Sequence, residues 1–195
     1  GMGPLETPRQ VHGDRIAVVG DGAAEPDAGC DGLLTKAPGR LLGVLGADCP
    51  GVLLVAPKQR TLAVVHAGWR GVAAGIVLRA REHLAQPGSV APGELLTGIG
   101  PGISAPRYEV ADEVASEICA ALPDGARPPV VQAGRAGHAH VDLQAAIRAQ
   151  LVGAGVPGTA IETHAACTFD DERFFSHRRD HGVTGRHVLV AGWRT

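Results

Sequence analysis

Two histidines and one cysteine stand at the ends of apolar runs: His12 in "QVHGDRI", Cys49 in "LGADCPGVLL" and His66 in "LAVVHAGWRG". Two imidazoles and a thiol suit a borderline-soft cation. Three protein ligands with a fourth place open is the arrangement of catalytic rather than structural zinc. The separations, 37 residues from His12 to Cys49 and 17 from Cys49 to His66, match no finger or ribbon. Any shared site must therefore be assembled by the fold. On spacing alone, the same residues serve equally as a packed thiol and two hydrogen-bonded histidines at strand ends.

Asp48, beside Cys49, is placed to orient a ligand or carry a proton. After His66 the chain turns through Ala67-Gly68-Trp69-Arg70-Gly71 into a helical pattern. The first amides of a helix lack internal partners and favour an anion, and Arg70 adds a guanidinium suited to phosphate or carboxylate. "GPGISAPRYEV" repeats that logic before a second helical stretch. "CTFDDERFFSHRRDHGVTGR" gathers Arg173, Arg178, Arg179 and Arg186 around Phe174 and Phe175, a composition that suits an anionic or aromatic ligand. Solvated arginines and turn-forming glycines are the plain alternative. His138 and His140 form the only H-x-H pair, on one face of a short strand. Cys30 and Cys119 read as packing residues, and Cys167 sits at a strand end.

The elements that must position these groups alternate in type. Strands are expected at 16–19, 41–46, 52–56, 62–66, 95–99, 139–141, 160–165 and 187–191. Helices are expected at 71–86, 108–122 and 142–153, the last capped by Asp142 and stopped at Gly153 or Gly155. Three strands follow one another between residues 41 and 66 with no helix between them. A mixed α/β domain is expected, rather than a strictly alternating parallel fold. The Pro/Gly-rich pieces 86–93, 123–129 and 153–158 read as surface connections, too short for domain linkers.

The 195 residues fit one domain spanning 1–195, and 45% apolar composition supplies a core. With a net charge of −2 and no basic run, nucleic acid is not an expected partner. No uninterrupted apolar span of membrane-crossing length occurs. The N-terminus lacks a basic segment followed by an apolar core, so no secretion signal is expected, and Gly1 before Met2 reads as a tag remnant. Four cysteines without a CxxC pair suit free thiols in a reducing cytoplasm.

The series "QVHG", "ADC", "VVHAGWRG", "GPGIS…YEV", "DL…QL" and "CT…ERFFSHRRD…TGR" resembles, in order, the bacterial laccase-domain family. That group was once described as multicopper polyphenol oxidases and is now regarded as purine nucleoside phosphorylases with adenosine deaminase activity. The resemblance runs from about residue 10 to 187. It implies zinc held by His12, Cys49 and His66, and a layered α/β/β/α fold like that of toxin deamidases with a Cys–His pair. It also implies purine nucleosides and phosphate as ligands, with Arg70, Arg178 and Arg179 as anion-binding candidates and Trp69 as a surface for the base. Two motifs depart from the pattern: "ADCPGV" moves the proline one place, and "FFSHRRDHG" puts His177 in place of a tyrosine and inserts His181.

Two other chemistries use the same residues. A copper polyphenol oxidase would need a blue-copper centre and several H-x-H pairs, but the chain offers nine histidines, one such pair and only Met2. A metal-free cysteine hydrolase would use Cys49 as nucleophile and His66 as base. A non-catalytic binding module is the remaining alternative. Oligomeric state cannot be read from the sequence.

Overall fold

The computed structural model describes residues 3–20, 29–85, 90–126 and 130–194. Among the described residues twelve strands form three sheets. The six-stranded sheet has the order β11-β7-β5-β6-β3-β2: Ile161–Thr163, Leu96–Ile99, Gly51–Ala56, Thr61–His66, Gly32–Thr35 and Ile16–Val19. A three-stranded sheet has the order β1-β4-β12, from Leu5–Glu6, Leu41–Gly46 and His187–Gly192. A second small sheet, β8-β10-β9, is built from Glu109–Ala111, His138–Val141 and Val131–Ala133. Among the described residues four helices accompany them: α1 (Trp69–Ala73), α2 (Ile76–Ala85), α3 (Asp112–Ala120) and α4 (Leu143–Gly153). The chain is thus the mixed α/β protein its sequence implies.

Strand periodicity divides the core into two layers. Along β6, Ala63 and Val65 join the cluster beneath the helices, while Leu62 and Val64 join the one beneath the β1-β4-β12 sheet. β5 alternates in the same way, with Val52 and Leu54 toward the helices and Leu53 and Val55 toward the small sheet. Both faces of these strands are covered, which is why they read as continuous apolar runs rather than as alternation. Each fully buried Val or Leu contributes roughly 1.5–3 kcal/mol. A slip of one residue would exchange the two layers, so the register is firmly set.

The boundaries expected for β4, β5, β6 and β12 agree with the structure to within one residue. Four short strands, β1, β3, β8 and β9, lie where none is expected. The helical stretch 71–86 is two helices, broken at Gly75, whose φ of +77° ends α1 in the left-handed region that glycine tolerates. Gln86 lies outside the described residues, as do 87–89 and 127–129 of the expected connections. The stretch 108–122 begins as a strand and becomes helical only at Asp112. α4 is capped as expected: the Asp142 side chain accepts from the Ala145 amide at 2.9 Å, and Gly155 follows at φ +88°. No described helix is long and apolar enough to cross a membrane.

The strands at 41–46 and 51–56 are neighbours in sequence but belong to different sheets. Between them the chain crosses from one layer to the other through Ala47-Asp48-Cys49-Pro50. Gly46 pairs with His187 on one side of this crossing, and Gly51 pairs with His66 on the other. Cys49 therefore sits on the seam between the two layers, next to the end of β6.

Candidate metal centre and cleft

The ligand atoms of His12, Cys49 and His66 lie within 4.8 Å of one another, and no other such group of three occurs among the described residues. The imidazole rings of His12 and His66 meet edge to face, with centroids 4.8 Å apart. His66 ends β6 and is buried, Cys49 is half-buried on the seam, and His12 is exposed on the loop before β2. Two of the corners that make this arrangement are left-handed: His12 has φ +60° and Asp48 has φ +88°. Each non-glycine residue held there costs about 1–3 kcal/mol, which the burial of the adjoining strands offsets.

Asp31 holds two of the three corners in place. It is fully buried at the start of β3. Its Oδ1 accepts from His66 Nδ1 at 2.8 Å and from the His12 amide at 2.9 Å. Its Oδ2 accepts from the amides of Val11 at 3.0 Å and Gly13 at 2.8 Å. An ionised carboxylate only accepts, so His66 Nδ1 carries the proton of this bond and Nε2 is the ring atom left to face the other two ligands. Burial pushes the Asp31 carboxyl up. The His66 hydrogen bond and the Gly13 and Val11 amides outweigh that and hold it below the ordinary carboxylate range. Sequence reasoning missed Asp31; its one signal is an acidic residue opening the wholly buried run "GLLT".

The electrostatics suit a cation. Burial, followed by the neighbouring His66, lowers His12, so its imidazole is neutral at neutral pH and able to ligate. Burial and then the carboxylates of Asp48 and Asp31 push the Cys49 thiol up to about 12. A free thiolate is opposed here, and a divalent cation is what would ionise this sulfur.

Gly68 leaves the room that the triad occupies. A Cβ there would meet His12 Cδ2 at 2.9 Å, Cys49 Sγ at 3.3 Å and His66 Cε1 at 3.6 Å. Gly68→Ala is therefore expected to displace the His12 ring and weaken metal binding by at least tenfold, with only a modest change in thermal stability. Equilibrium dialysis against zinc, read beside the melting temperature, checks this, and unchanged affinity would contradict it.

The triad opens onto a cleft of about 500 Å³ lined also by Gln10, Asp48, Trp69, Arg70, Tyr108, His177, Arg178 and Arg186. The carboxylate of Asp48 accepts from Thr168 Oγ1 at 2.7 Å and from the Arg178 amide at 2.7 Å. Both of its oxygens are engaged, so it ties the 168–178 loop to the Cys49 corner. The Arg178 guanidinium lies 5.3 Å above the Tyr108 ring and donates to the Glu109 carbonyl at 3.1 Å. Arg70 stacks 4.5 Å over Trp69, which packs against the main core. Burial and then Cys49 push the Tyr108 phenol up, so it stays a neutral O–H.

Arg179, grouped with Arg178 in the sequence, does not line this cleft. It donates to the carbonyls of Thr168, Phe169 and Phe174 and pairs with Asp180 at 2.8 Å, which makes it a pin for its own loop. Arg186 lines the cleft instead. The two helix-entry corners offer an anion less than their sequences imply: α1 is a five-residue helix, and a strand separates "GPGIS" from α3. Neither corner presents a long helix end, so the cleft's positive charge comes from guanidinium groups. His138 and His140 are held separately, by Arg135 at 2.8 Å and the Ala105 carbonyl at 2.9 Å, and share no ligand position. Cys167 accepts from the Ser104 hydroxyl at 3.1 Å.

A His–Cys–His triad at the seam of two stacked sheets, facing an arginine-lined cleft, defines a mixed α/β protein with a candidate metal centre. The chain belongs to the family described as multi-copper polyphenol oxidoreductase laccase, whose model matches residues 2–194. Among its relatives, the protein named purine nucleoside phosphorylase YlmD of Geobacillus stearothermophilus is 38% identical over 200 residues. That match covers 95% of this chain and 70% of the relative. A protein named adenosine deaminase RL5, from an unknown prokaryotic organism, is 35% identical over 90% of this chain and 70% of its own. The crystal structure of Geobacillus stearothermophilus YlmD superposes with a TM-score of 0.91 at 36% identity, covering 98% of this chain and 74% of that one.

Proposed function

We propose that this protein is a zinc enzyme of purine nucleosides, carrying out phosphorolysis and adenosine deamination in the cleft above His12, Cys49 and His66. The observation that carries the reading is the convergence of three metal-type ligand atoms within 4.8 Å at the floor of a cleft rich in arginine. The names of the relatives supply the substrate class.

Zinc in such a site supplies Lewis acidity and lowers the pKa of bound water to about 7. The chain's own residues do the rest. Asp31 fixes the tautomer and orientation of His66 and the loop that carries His12. Asp48 positions Cys49 and Arg178 relative to each other. Arg70 and Arg178 make no ion pair with a described carboxylate, and they offer forked donors to phosphate. Trp69 contributes an aromatic edge to the cleft wall for the base.

A cysteine nucleophile is activated by a lowered thiol pKa or by an adjacent base; burial pushes the Cys49 thiol up, which leaves that chemistry dependent on His66 as base. A multicopper set requires several clusters, and among the described residues one group of three ligands occurs. The decisive experiment pairs elemental analysis of the purified protein with adenosine and inosine turnover, with and without phosphate. The expected result is about one zinc per chain, ribose 1-phosphate formed only with phosphate, and ammonia released from adenosine without it. Metal-free protein with full turnover would overturn the reading, as would an absorption band near about 600 nm on copper loading accompanied by phenol oxidation.

A further inference from the structure

We infer that the Tyr108 hydroxyl is a binding donor for the anionic co-substrate, completing with Arg70 and Arg178 a three-donor cradle on one side of the cleft. The inference rests on the phosphorolytic reading only in taking that anion to be inorganic phosphate.

The ring of Tyr108 is held rigidly. Its amide donates to the Ala105 carbonyl at 3.0 Å, and its carbonyl accepts from Val141 at 3.1 Å. The ring packs against the main core from below, and the Arg178 guanidinium covers it from above. Arg178 is itself fixed, by the Asp48 carboxylate at its amide and by the Glu109 carbonyl at its Nη1. Tyr108 lines the cleft, yet its hydroxyl makes no hydrogen bond to any described residue. A rigid, unused O–H in a cleft wall is a preorganised donor, because the cost of ordering it has been met by folding.

Arg70, Tyr108 and Arg178 line the same cleft, and the Arg178 guanidinium lies 5.3 Å from the centre of the Tyr108 ring. The cleft wall thus offers two guanidinium groups and a neutral hydroxyl. A tetrahedral oxyanion bound between them can accept from all three. The hydroxyl adds a hydrogen bond without adding a further positive charge beside the metal ligands.

The test is Tyr108→Phe, which removes one oxygen and leaves the ring packing intact. The phosphate KM is expected to rise about 10–100-fold, the loss of one hydrogen bond to a charged group. The nucleoside KM, the phosphate-independent deamination rate and the bound metal are expected to stay within about twofold of wild type. A phosphate KM within twofold of wild type overturns the inference, and so does a deamination rate that falls in step with phosphorolysis. Should the wild-type protein turn over no nucleoside, the functional reading fails by itself. Calorimetric titration of both proteins with inorganic phosphate then decides Tyr108 independently: weaker binding in the variant supports it, and equal or absent binding in both overturns it.

Discussion

Cys49→Ala is expected to abolish both stoichiometric zinc and nucleoside turnover while leaving the protein folded. Structural zinc sites bind with roughly 10–16 kcal/mol shared over four ligands, so one ligand is worth about 2.5–4 kcal/mol. That corresponds to a loss on the order of 10²–10³-fold in metal affinity. The side chain is small and half-buried, and replacing it by a methyl group leaves little cavity. The melting temperature of the metal-free protein should therefore change by only a few degrees. Zinc affinity measured with a chromophoric competitor, set beside inosine phosphorolysis, checks the prediction. Unchanged zinc affinity with lost turnover would instead identify Cys49 as a nucleophile.

The second large effect is expected at Asp31→Asn. The carboxylate accepts four hydrogen bonds, two on each oxygen, from His66 and from the amides of residues 11–13. An amide directs an N–H at two of those donors and leaves the His66 proton without a strong acceptor. Breaking a buried charged network of this kind costs roughly 3–5 kcal/mol. Loss of the residue that orients a ligand lowers metal affinity about 10–100-fold. At about 2–4 °C per kcal/mol for a chain of this size, the melting temperature should fall by roughly 6–20 °C.

The same carboxylate sets an acid dependence. Its folded pKa lies below the ordinary value of 3.8. Its contribution is therefore complete above that value and is lost as the pH falls from about 4 through the folded pKa. Urea midpoints of the chelator-treated protein, followed from pH 6 down to pH 3, should drop more steeply for wild type than for Asp31→Asn. Parallel profiles would show that Asp31 does not carry this linkage.

Much of this molecule is legible in the order of its residues. The central strands announce themselves because β5 and β6 are covered on both faces, so burial writes an apolar run directly into the sequence. The α4 cap is local chemistry, a carboxylate three residues from the amide it binds, and needs no tertiary information. The triad residues are recognisable by type and by their place at strand ends. The very short strands are not legible: β1, β8 and β9 have two or three residues, too few to establish a period, and β3 is a four-residue buried run.

What only the tertiary structure decided is which of the polar residues meet. His12, Cys49 and His66 come together because the chain crosses between two sheets at Asp48-Cys49, and pairing of Gly51 with His66 brings that crossing to the end of β6. Arg178 and Arg179 are adjacent and chemically identical, yet one faces the cleft while the other binds its own loop's carbonyls. Asp31 carries only a faint signal, and Tyr108 and Arg186 stand in recognisable motifs that do not say they line this cleft. Their roles depend on contacts between residues far apart in the chain, which are fixed by sheet pairing and close packing rather than by local spacing. Composition and periodicity thus determine the elements and the kinds of chemistry available, and long-range packing determines which side chains share a site.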